Sequence, residues 1–277
     1  MQQLHLGYSP CPNDTFIFYG LIHGKVPCPK IQFIEQLEDV ETLNQLALQG
    51  QLDLTKISYH AFGHLRHDYA LLHSGGALGR GCGPLIVARD HTTMAELRGK
   101  KIAIPGRLTT ANLLLQLHSE GFEDVLILPF DQIMTAVTQG KVDAGVIIHE
   151  SRFTYPQHGL TQVLDLGQWW EEETGYPIPL GGILAKRSLG AELINQVDTA
   201  LRQSIEYAYA HANEPQIYIK QHAQELDDSV IRRHIDLYVN TFSIDLGDEG
   251  IQAVEGLLSR AEARGLIPPC GLPLFAA

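Results

Sequence analysis

Residues 101–152 decide the fold, and they read KIAIPGRLTTANLLLQLHSEGFEDVLILPFDQIMTAVTQGKVDAGVIIHESR. Short apolar runs such as Lys101–Ile104 and Val142–Ile148 alternate here with segments whose apolar residues recur at helical spacing, as in Asp131–Gln139. Strands that alternate with helices are typical of βαβ units, whose strands lie parallel. The stretch therefore predicts an α/β protein with mostly parallel sheets.

The same alternation extends toward the N-terminus and restarts near Leu85–Arg89. A late strand at Gly181–Lys186 is followed only by helical patterns. These helices need a surface on which to pack, and the α/β lobe formed by the N-terminal residues is the nearest candidate. The chain would then leave a first lobe, build a second and return to the first. A small ligand usually binds in the cleft between two such lobes. The predicted lobes are residues 1–88 together with 183–277, and residues 89–182.

Composition excludes several function classes. Lys and Arg number 20 against 32 Asp and Glu, so the net charge is −12, and we expect no nucleic acid and no membrane as a partner. The four cysteines lack CxxC spacing, which argues against both a disulfide framework and a zinc site. The first residues lack the pattern of a signal peptide, so the expected location is cytoplasmic.

His149 is the candidate catalytic residue. It follows the apolar run Ala144–Ile148, and ligands of open α/β sheets bind at the carboxyl ends of strands. An imidazole there could act as a general base near neutral pH, although a buried histidine bonded to a loop carbonyl would give the same pattern. Phe153 stands where a zinc-protease motif needs its second histidine, which excludes that motif.

Two strand-to-helix junctions offer polar groups for a ligand. Thr109 and Thr110 open a helix, where free backbone N–H groups attract a carboxylate, although simple N-capping explains them equally well. Asn13 and Asp14, with Ser9 beside them, present the same two interpretations at the first junction.

Lys56 and Ser58 flank the end of the third predicted strand. A lysine at this place could pair with an acidic substrate, although lysines are far more common as surface residues. Ser58 could cap the helix that follows.

Five glycines fall within residues 75–83, in the order Gly-x-x-Gly-x-Gly, and a strand follows them. That arrangement fits neither the dinucleotide fingerprint nor the Walker A motif. It indicates close backbone approach, either to a ligand or to a neighbouring segment.

His60, His64 and His67 have the spacing of one helix face and could form a metal-binding face. No nearby cysteine or carboxylate pattern supports a metal there, so no metal ligands are assigned.

Four segments together resemble the 1,4-dihydroxy-6-naphthoate synthase family of the futalosine route to menaquinone. They are SPCPNDTFIF (9–18), EDVETLN (38–44), SGGALGRGCGP (74–84) and IIHESRFTYP (147–156), and the resemblance extends from Leu4 to about Phe275. It implies the two-lobed type II fold of periplasmic binding proteins. It also implies a cytosolic enzyme that cleaves a carbon–carbon bond of cyclic dehypoxanthinyl futalosine to give dihydroxynaphthoate.

The resemblance assigns roles to particular residues. It makes His149 the general base, and it assigns substrate binding to Lys56, Ile57 and Ser58 and to the pair Thr109 and Thr110. We add Asn13 and Asp14 as substrate-binding candidates. The expected partner is a small-molecule carboxylate, and the reaction needs neither a metal nor a redox cofactor.

Three alternatives are kept for the function. One is a chorismate dehydratase, which has the same fold and pathway, and another is a non-catalytic solute-binding protein. The third, an effector-sensing domain of a transcription factor, is disfavoured because no helix-turn-helix segment precedes the first strand and the charge is unfavourable.

Overall fold

The computed structural model describes residues 1–119, 121–122, 124–224 and 227–276. Two mixed β-sheets form its framework. The strands are β1 (Gln2–Tyr8), β2 (Ile31–Leu37), β3 (Leu54–Ser58), β4 (Tyr69–Leu71), β5 (Ala77–Gly79), β6 (Leu85–Ala88), β7 (Ile102–Ile104), β8 (Val125–Ile127), β9 (Ala144–Ile147), β10 (Thr161–Asp165) and β11 (Ile178–Lys186).

Helices cover both sheets and dominate the C-terminal third of the chain. They are α1 (Pro12–Ile22), α2 (Val40–Leu48), α3 (Tyr59–Leu65), α4 (Thr110–His118), α5 (Phe130–Thr138), α6 (Ser151–Thr154), α7 (Leu166–Thr174), α8 (Ala191–Ala210), α9 (Gln216–His222), α10 (Asp228–Tyr238), α11 (Thr241–Ile244) and α12 (Gly247–Ala263). No helix in the described ranges is long and apolar enough to cross a bilayer.

The first sheet has the order β2-β1-β3-β11-β4, with β5 also paired to β11, and the second has the order β10-β6-β9-β7-β8. In the first sheet β1 lies parallel to β2 and β3, and in the second sheet β7 lies parallel to β8 and β9. Strand β11 is antiparallel to β3, β4 and β5, and β6 is antiparallel to β9 and β10. The prediction of mostly parallel sheets is therefore wrong. Strands β6 and β11, each the first strand after the chain passes from one sheet to the other, are antiparallel to their neighbours.

The chain crosses between the sheets twice, once between β5 and β6 and once between α7 and β11. Arg80 in the first crossing donates a hydrogen bond of 2.9 Å to the carbonyl of Gly175 in the second, so the two connections lie side by side. The predicted lobe boundaries lie at residues 88 and 183. Strand β6 already pairs in the second sheet and β11 starts at Ile178, so the chain changes sheets a few residues before both boundaries. The division into lobes remains a prediction.

Several local predictions are confirmed. The Asp39 carboxylate caps α2 by accepting from the N–H groups of Glu41 and Thr42, and the long amphipathic helix after the late strand is α8. Helix α8 packs on α1, where the Ser204 hydroxyl accepts from Leu21 N–H and donates to the Ile17 carbonyl. The helix predicted near residues 94–97 is only a series of turns, which end at Gly99 with φ +69°, so the segment is too short for a full helix.

The glycine run serves close packing of the chain on itself. A Cβ on Gly83 would lie 2.3 Å from the Cα of Gly167, and a Cβ on Gly75 would lie 2.4 Å from the Ile183 side chain. Gly75 also has φ +82°, which other residues rarely adopt. Of the two interpretations given for this run, the structure supports approach to neighbouring segments.

The three spaced histidines do not share a helix face. Helix α3 ends at Leu65, so His67 lies beyond it, and His64 and His67 are exposed while His60 is buried. The His60 and His64 rings lie 5.6 Å apart. Burial is the main reason why the pKa of His60 is lowered to about 4.

Candidate active site

A cleft of about 660 Å³, counted together with the solvent space at its open side, lies between the strand ends of the two sheets. It brings together residues that are more than 130 positions apart in the sequence, from the junction after β1 to the turn after β9. All eight predicted site residues line it, namely Asn13, Asp14, Lys56, Ile57, Ser58, Thr109, Thr110 and His149.

The turn after β1 is built around the Asp14 carboxylate. Helix α1 begins at Pro12 with Cys11 at its N-cap, so the predicted cap at Asn13 or Asp14 is wrong; proline is favoured in the first turn because its missing N–H has no partner there. Asp14 instead turns back and accepts from the N–H and hydroxyl groups of Ser9, at 3.2 and 2.7 Å. Its other oxygen accepts from the Asn13 amide at 2.8 Å.

Lys56 completes this cluster from β3. Its Nζ lies 3.0 Å from Asp14 Oδ1, and the two side chains are only 7% and 2% exposed. A buried ion pair of this kind is costly to break, because the remaining charge would have no partner. The Lys56 charge is thus already matched inside the protein, which weakens the expectation that Lys56 alone neutralises a substrate carboxylate.

Ser58 occupies the N-cap position of α3, but its hydroxyl makes no capping hydrogen bond. It accepts from the Asn44 amide at 3.2 Å, while Ser58 N–H donates to the Asn44 carbonyl oxygen at 3.0 Å. Ser58 therefore holds the predicted N-cap position, but its hydroxyl bonds to Asn44 of α2 instead of capping α3. Ile57 borders the cleft beside Gly181, where a Cβ would lie 2.6 Å from the Ile57 carbonyl oxygen.

The two threonines at the start of α4 have different partners. Thr109 is the N-cap and accepts from Asn112 N–H at 3.3 Å, so the capping interpretation is confirmed for it. Thr110 connects the two halves of the molecule: its hydroxyl accepts from Tyr59 N–H at 2.9 Å and donates to the Leu180 carbonyl at 2.5 Å.

His149 lies directly beyond β9, at the carboxyl end of the strand as predicted. Its φ of +57° places it in the left-handed region, which costs free energy for a non-glycine residue and is characteristic of functional sites. Nδ1 lies 3.6 Å from Cys11 Sγ. The ring meets Phe130 edge to face, with centroids 4.9 Å apart, and stacks on His234 at 6.1 Å.

Burial shifts the pKa values of His149 and of the thiol beside it. It lowers the pKa of His149, against the opposing effect of the Glu150 and Asp14 carboxylates, so the ring is neutral and available as a base at neutral pH. Burial also raises the pKa of the Cys11 thiol, which favours its protonated form. Donor atoms of Cys11, His149 and Glu150 lie within 4.8 Å of one another, but metals bind the thiolate rather than the thiol, and we assign no metal to the trio.

Sequence reasoning missed two buried residues beside His149. His234, on α10, is fully buried, and its Nε2 lies 2.8 Å from Asn13 Oδ1. Its Nδ1 lies 3.7 Å from Oε2 of Glu150, the residue after His149. Glu150 follows the predicted base directly and could have been singled out, whereas His234 has no sequence signal because its partners are distant in the chain.

A family model described as "Menaquinone biosynthesis" matches residues 4–263 of this chain. A protein of Thermus thermophilus named 1,4-dihydroxy-6-naphtoate synthase is 56% identical over 275 residues, which cover 99% of this chain and all of the relative. A Streptomyces coelicolor protein of the same name is 46% identical over 274 residues, covering 97% and 96% of the two chains.

Solved structures show the same architecture. A protein from Archaeoglobus fulgidus superposes with a TM-score of 0.89 at 38% identity, covering 96% of this chain and 98% of its own. The alkanesulfonate-binding protein of Xanthomonas axonopodis pv. citri, solved with MOPS bound, has a TM-score of 0.70 at 19% identity, covering 96% and 94%. The second likeness concerns the fold alone, and it confirms the periplasmic-binding-protein-like α/β fold.

Proposed function

This chain belongs to the menaquinone biosynthesis family, and we propose that it is the cytoplasmic lyase that converts cyclic dehypoxanthinyl futalosine to 1,4-dihydroxy-6-naphthoate. The name shared by the two curated relatives supports a synthase of this product. The observation that carries the proposal is the position of His149, a neutral imidazole at a strand end that lines the same cleft as every other candidate residue.

His149 acts as the general base in this proposal. It removes a proton from a substrate hydroxyl, and the oxygen forms a carbonyl as the adjacent carbon–carbon bond breaks. The electron pair of that bond passes to the ring as an enolate, whose oxygen takes up the proton from the His149 imidazolium. Loss of the sugar-derived fragment lets the ring become aromatic, which favours the products. Electrons and protons balance without an oxidant, and general-base catalysis of this kind contributes about 10²- to 10⁴-fold to the rate.

Positioning supplies much of the remaining acceleration. The backbone N–H groups at the start of α4, beside Thr109 and Thr110, are suited to a substrate carboxylate because they carry the positive end of the helix dipole. The Asp14–Lys56 pair and Ser58 form a rigid polar surface on the opposite side for substrate hydroxyls. Contacts between the two sides, such as Thr110 with Tyr59, exclude water during the reaction.

The test uses the purified protein, treated with a chelator and incubated with cyclic dehypoxanthinyl futalosine, while naphthoate absorbance is followed. Product formation without added metal or nucleotide supports the lyase, and the His149→Asn variant serves as the control for a contaminating activity. A folded protein that consumes chorismate instead would make it a chorismate dehydratase. Binding of the futalosine compound without turnover would make it a binding protein.

A further inference from the structure

A chain of hydrogen bonds fixes which nitrogen of His234 carries a proton. The Lys56 ammonium can only donate, so Asp14 Oδ1 accepts from it and from the Asn13 amide nitrogen, at 3.0 and 2.8 Å. With its nitrogen directed to Asp14, Asn13 presents its carbonyl oxygen to His234 Nε2 at 2.8 Å. An oxygen of this type only accepts, so His234 Nε2 bears the hydrogen and Nδ1 of a neutral ring has a lone pair.

That lone pair faces a second buried acceptor. His234 Nδ1 and Glu150 Oε2 lie 3.7 Å apart, and each is buried without a hydrogen-bond partner. His234 is fully buried and Glu150 is only 9% exposed, so bulk water does not screen them. Two unprotonated acceptors in such a place repel each other, whereas a proton on either one replaces that repulsion by attraction, and a small approach from 3.7 Å would form a hydrogen bond.

We propose that Glu150 and His234 hold one proton between them, and that this pair, which has no net charge, strengthens the preference of His149 for its basic form. The protonation state is inferred from contacts of this chain alone, and its catalytic consequence rests on the proposed function. Glu150 and His234 are positioning residues, since neither lines the cleft and both act through the neighbouring imidazole.

The surrounding charges make Glu150 the deciding group for His149. Asp14 and Lys56 neutralise each other, and Cys11 is a neutral thiol. Arg152 is already paired with Asp165 at 2.8 Å. Asp39, which caps α2, has a smaller effect on the His149 pKa than Glu150, Asp14 or Lys56. Tyr238, the remaining titratable neighbour of His234, has a pKa raised by burial, so it is uncharged. An ionised Glu150 would raise the pKa of His149 and so oppose the lowering by burial that favours the basic form of this ring.

The pair also connects the two halves of the molecule. Glu150 follows β9 of the second sheet, whereas His234 lies on α10, which packs on α1 beside the first sheet. Separation of the two sides would take His234 away and leave Glu150 a carboxylate beside His149. The shared proton therefore depends on contact between the two sides.

The test measures the pKa of His149 by NMR of imidazole-labelled protein, with the His149 signal assigned by its loss in His149→Asn. In Glu150→Gln the amide N–H₂ replaces the shared proton, so the His149 pKa should change little. In His234→Phe a planar ring of similar shape remains, but no acceptor remains for the Glu150 proton. A bare carboxylate at this distance should raise the His149 pKa by about one pH unit or more. The double variant should return it to the wild-type value.

An ordinary ionised Glu150 predicts the reverse pattern, in which Glu150→Gln lowers the His149 pKa and His234→Phe hardly changes it; that result would overturn the proposal. His73→Phe is the matched control, since His73 forms a histidine–carboxylate pair with Asp198 at 3.1 Å and does not line the cleft. If His234→Phe fails to fold, ¹⁵N shifts of His234 and the carboxyl infrared band of wild-type protein, compared with Glu150→Gln, decide. Absence of the proton from both groups refutes the pair. None of these measurements needs substrate, so they remain valid if the lyase proposal fails. If the protein is the lyase, the acid limb of the pH profile of kcat/KM should shift with the His149 pKa.

Discussion

The turns after β1 and β9 occupy equivalent positions, each at the carboxyl end of a strand beside the cleft, yet they are built in opposite ways. In the turn after β1, the Asp14 carboxylate is matched by Ser9, Asn13 and Lys56. In the turn after β9, His149 has a left-handed backbone and the Glu150 oxygen Oε2 has no hydrogen bond. A rigid, saturated surface suits binding, whereas strained and unsatisfied groups suit proton transfer.

The comparison predicts its largest effect at His149. Replacing it with Asn keeps a side chain that tolerates positive φ and removes the base. Turnover should fall by about 10²- to 10⁴-fold, while the free energy of unfolding changes by less than about 1 kcal/mol. Initial rates with the futalosine substrate and urea unfolding of both proteins measure the two quantities.

Retention of most of the wild-type rate in His149→Asn would mean that the turn after β9 is not the reactive one. Loss of activity accompanied by unfolding would instead make the strained turn a structural element, and a His149→Gln variant with an intact fold would then be needed to separate the two roles.

The turn after β1 should respond in stability. Lys56→Met leaves the Asp14 charge buried without its partner, and we expect the free energy of unfolding to fall by about 3–5 kcal/mol. Lys186→Met is the matched control, because its pair with Asp53 has the same 3.0 Å separation but is about one-fifth exposed, and it should cost about 1 kcal/mol. Equal losses in urea unfolding would show that burial of the Asp14–Lys56 pair has no special importance.

The sequence allowed the framework and the location of the site to be predicted, but not the hydrogen bonds and ion pairs within the site. Strand ends and helix starts are local signals, which is why His149, Thr109 and Asp39 were placed correctly. The partners of Asp14 and His234 come from 42 and 221 residues away along the chain, and no local pattern encodes such contacts. The reversed direction of β6 and β11 was missed for the same reason, since strand direction depends on where the chain re-enters a sheet.

Thr110 links the two sides, and its replacement should have a smaller effect. Thr110→Val keeps the shape but leaves Tyr59 N–H and the Leu180 carbonyl without their partner. We expect a loss of about 1–3 kcal/mol in the free energy of unfolding. Thr110→Ser retains the hydroxyl and serves as the control, so equal losses in the two variants would point to the missing methyl group rather than to the hydrogen bonds.

The smallest effect is on the pH dependence of stability, and it distinguishes His149 in the cleft from His60 outside it. Burial lowers the pKa of both His149 and His60, the latter to about 4, so the unfolded chain binds protons that the folded chain does not. The stability contribution of each is complete above the unfolded pKa of about 6.5 and is lost as the pH falls below it, by up to about 1.4 kcal/mol per pH unit. Urea unfolding between pH 7.5 and pH 5 measures this slope, and His60→Gln should reduce it while leaving the part due to His149. Because His60 does not line the cleft, the same substitution should leave the acid limb of the activity profile in place, whereas a shift of that limb would mean that the His60 charge reaches the reactive turn.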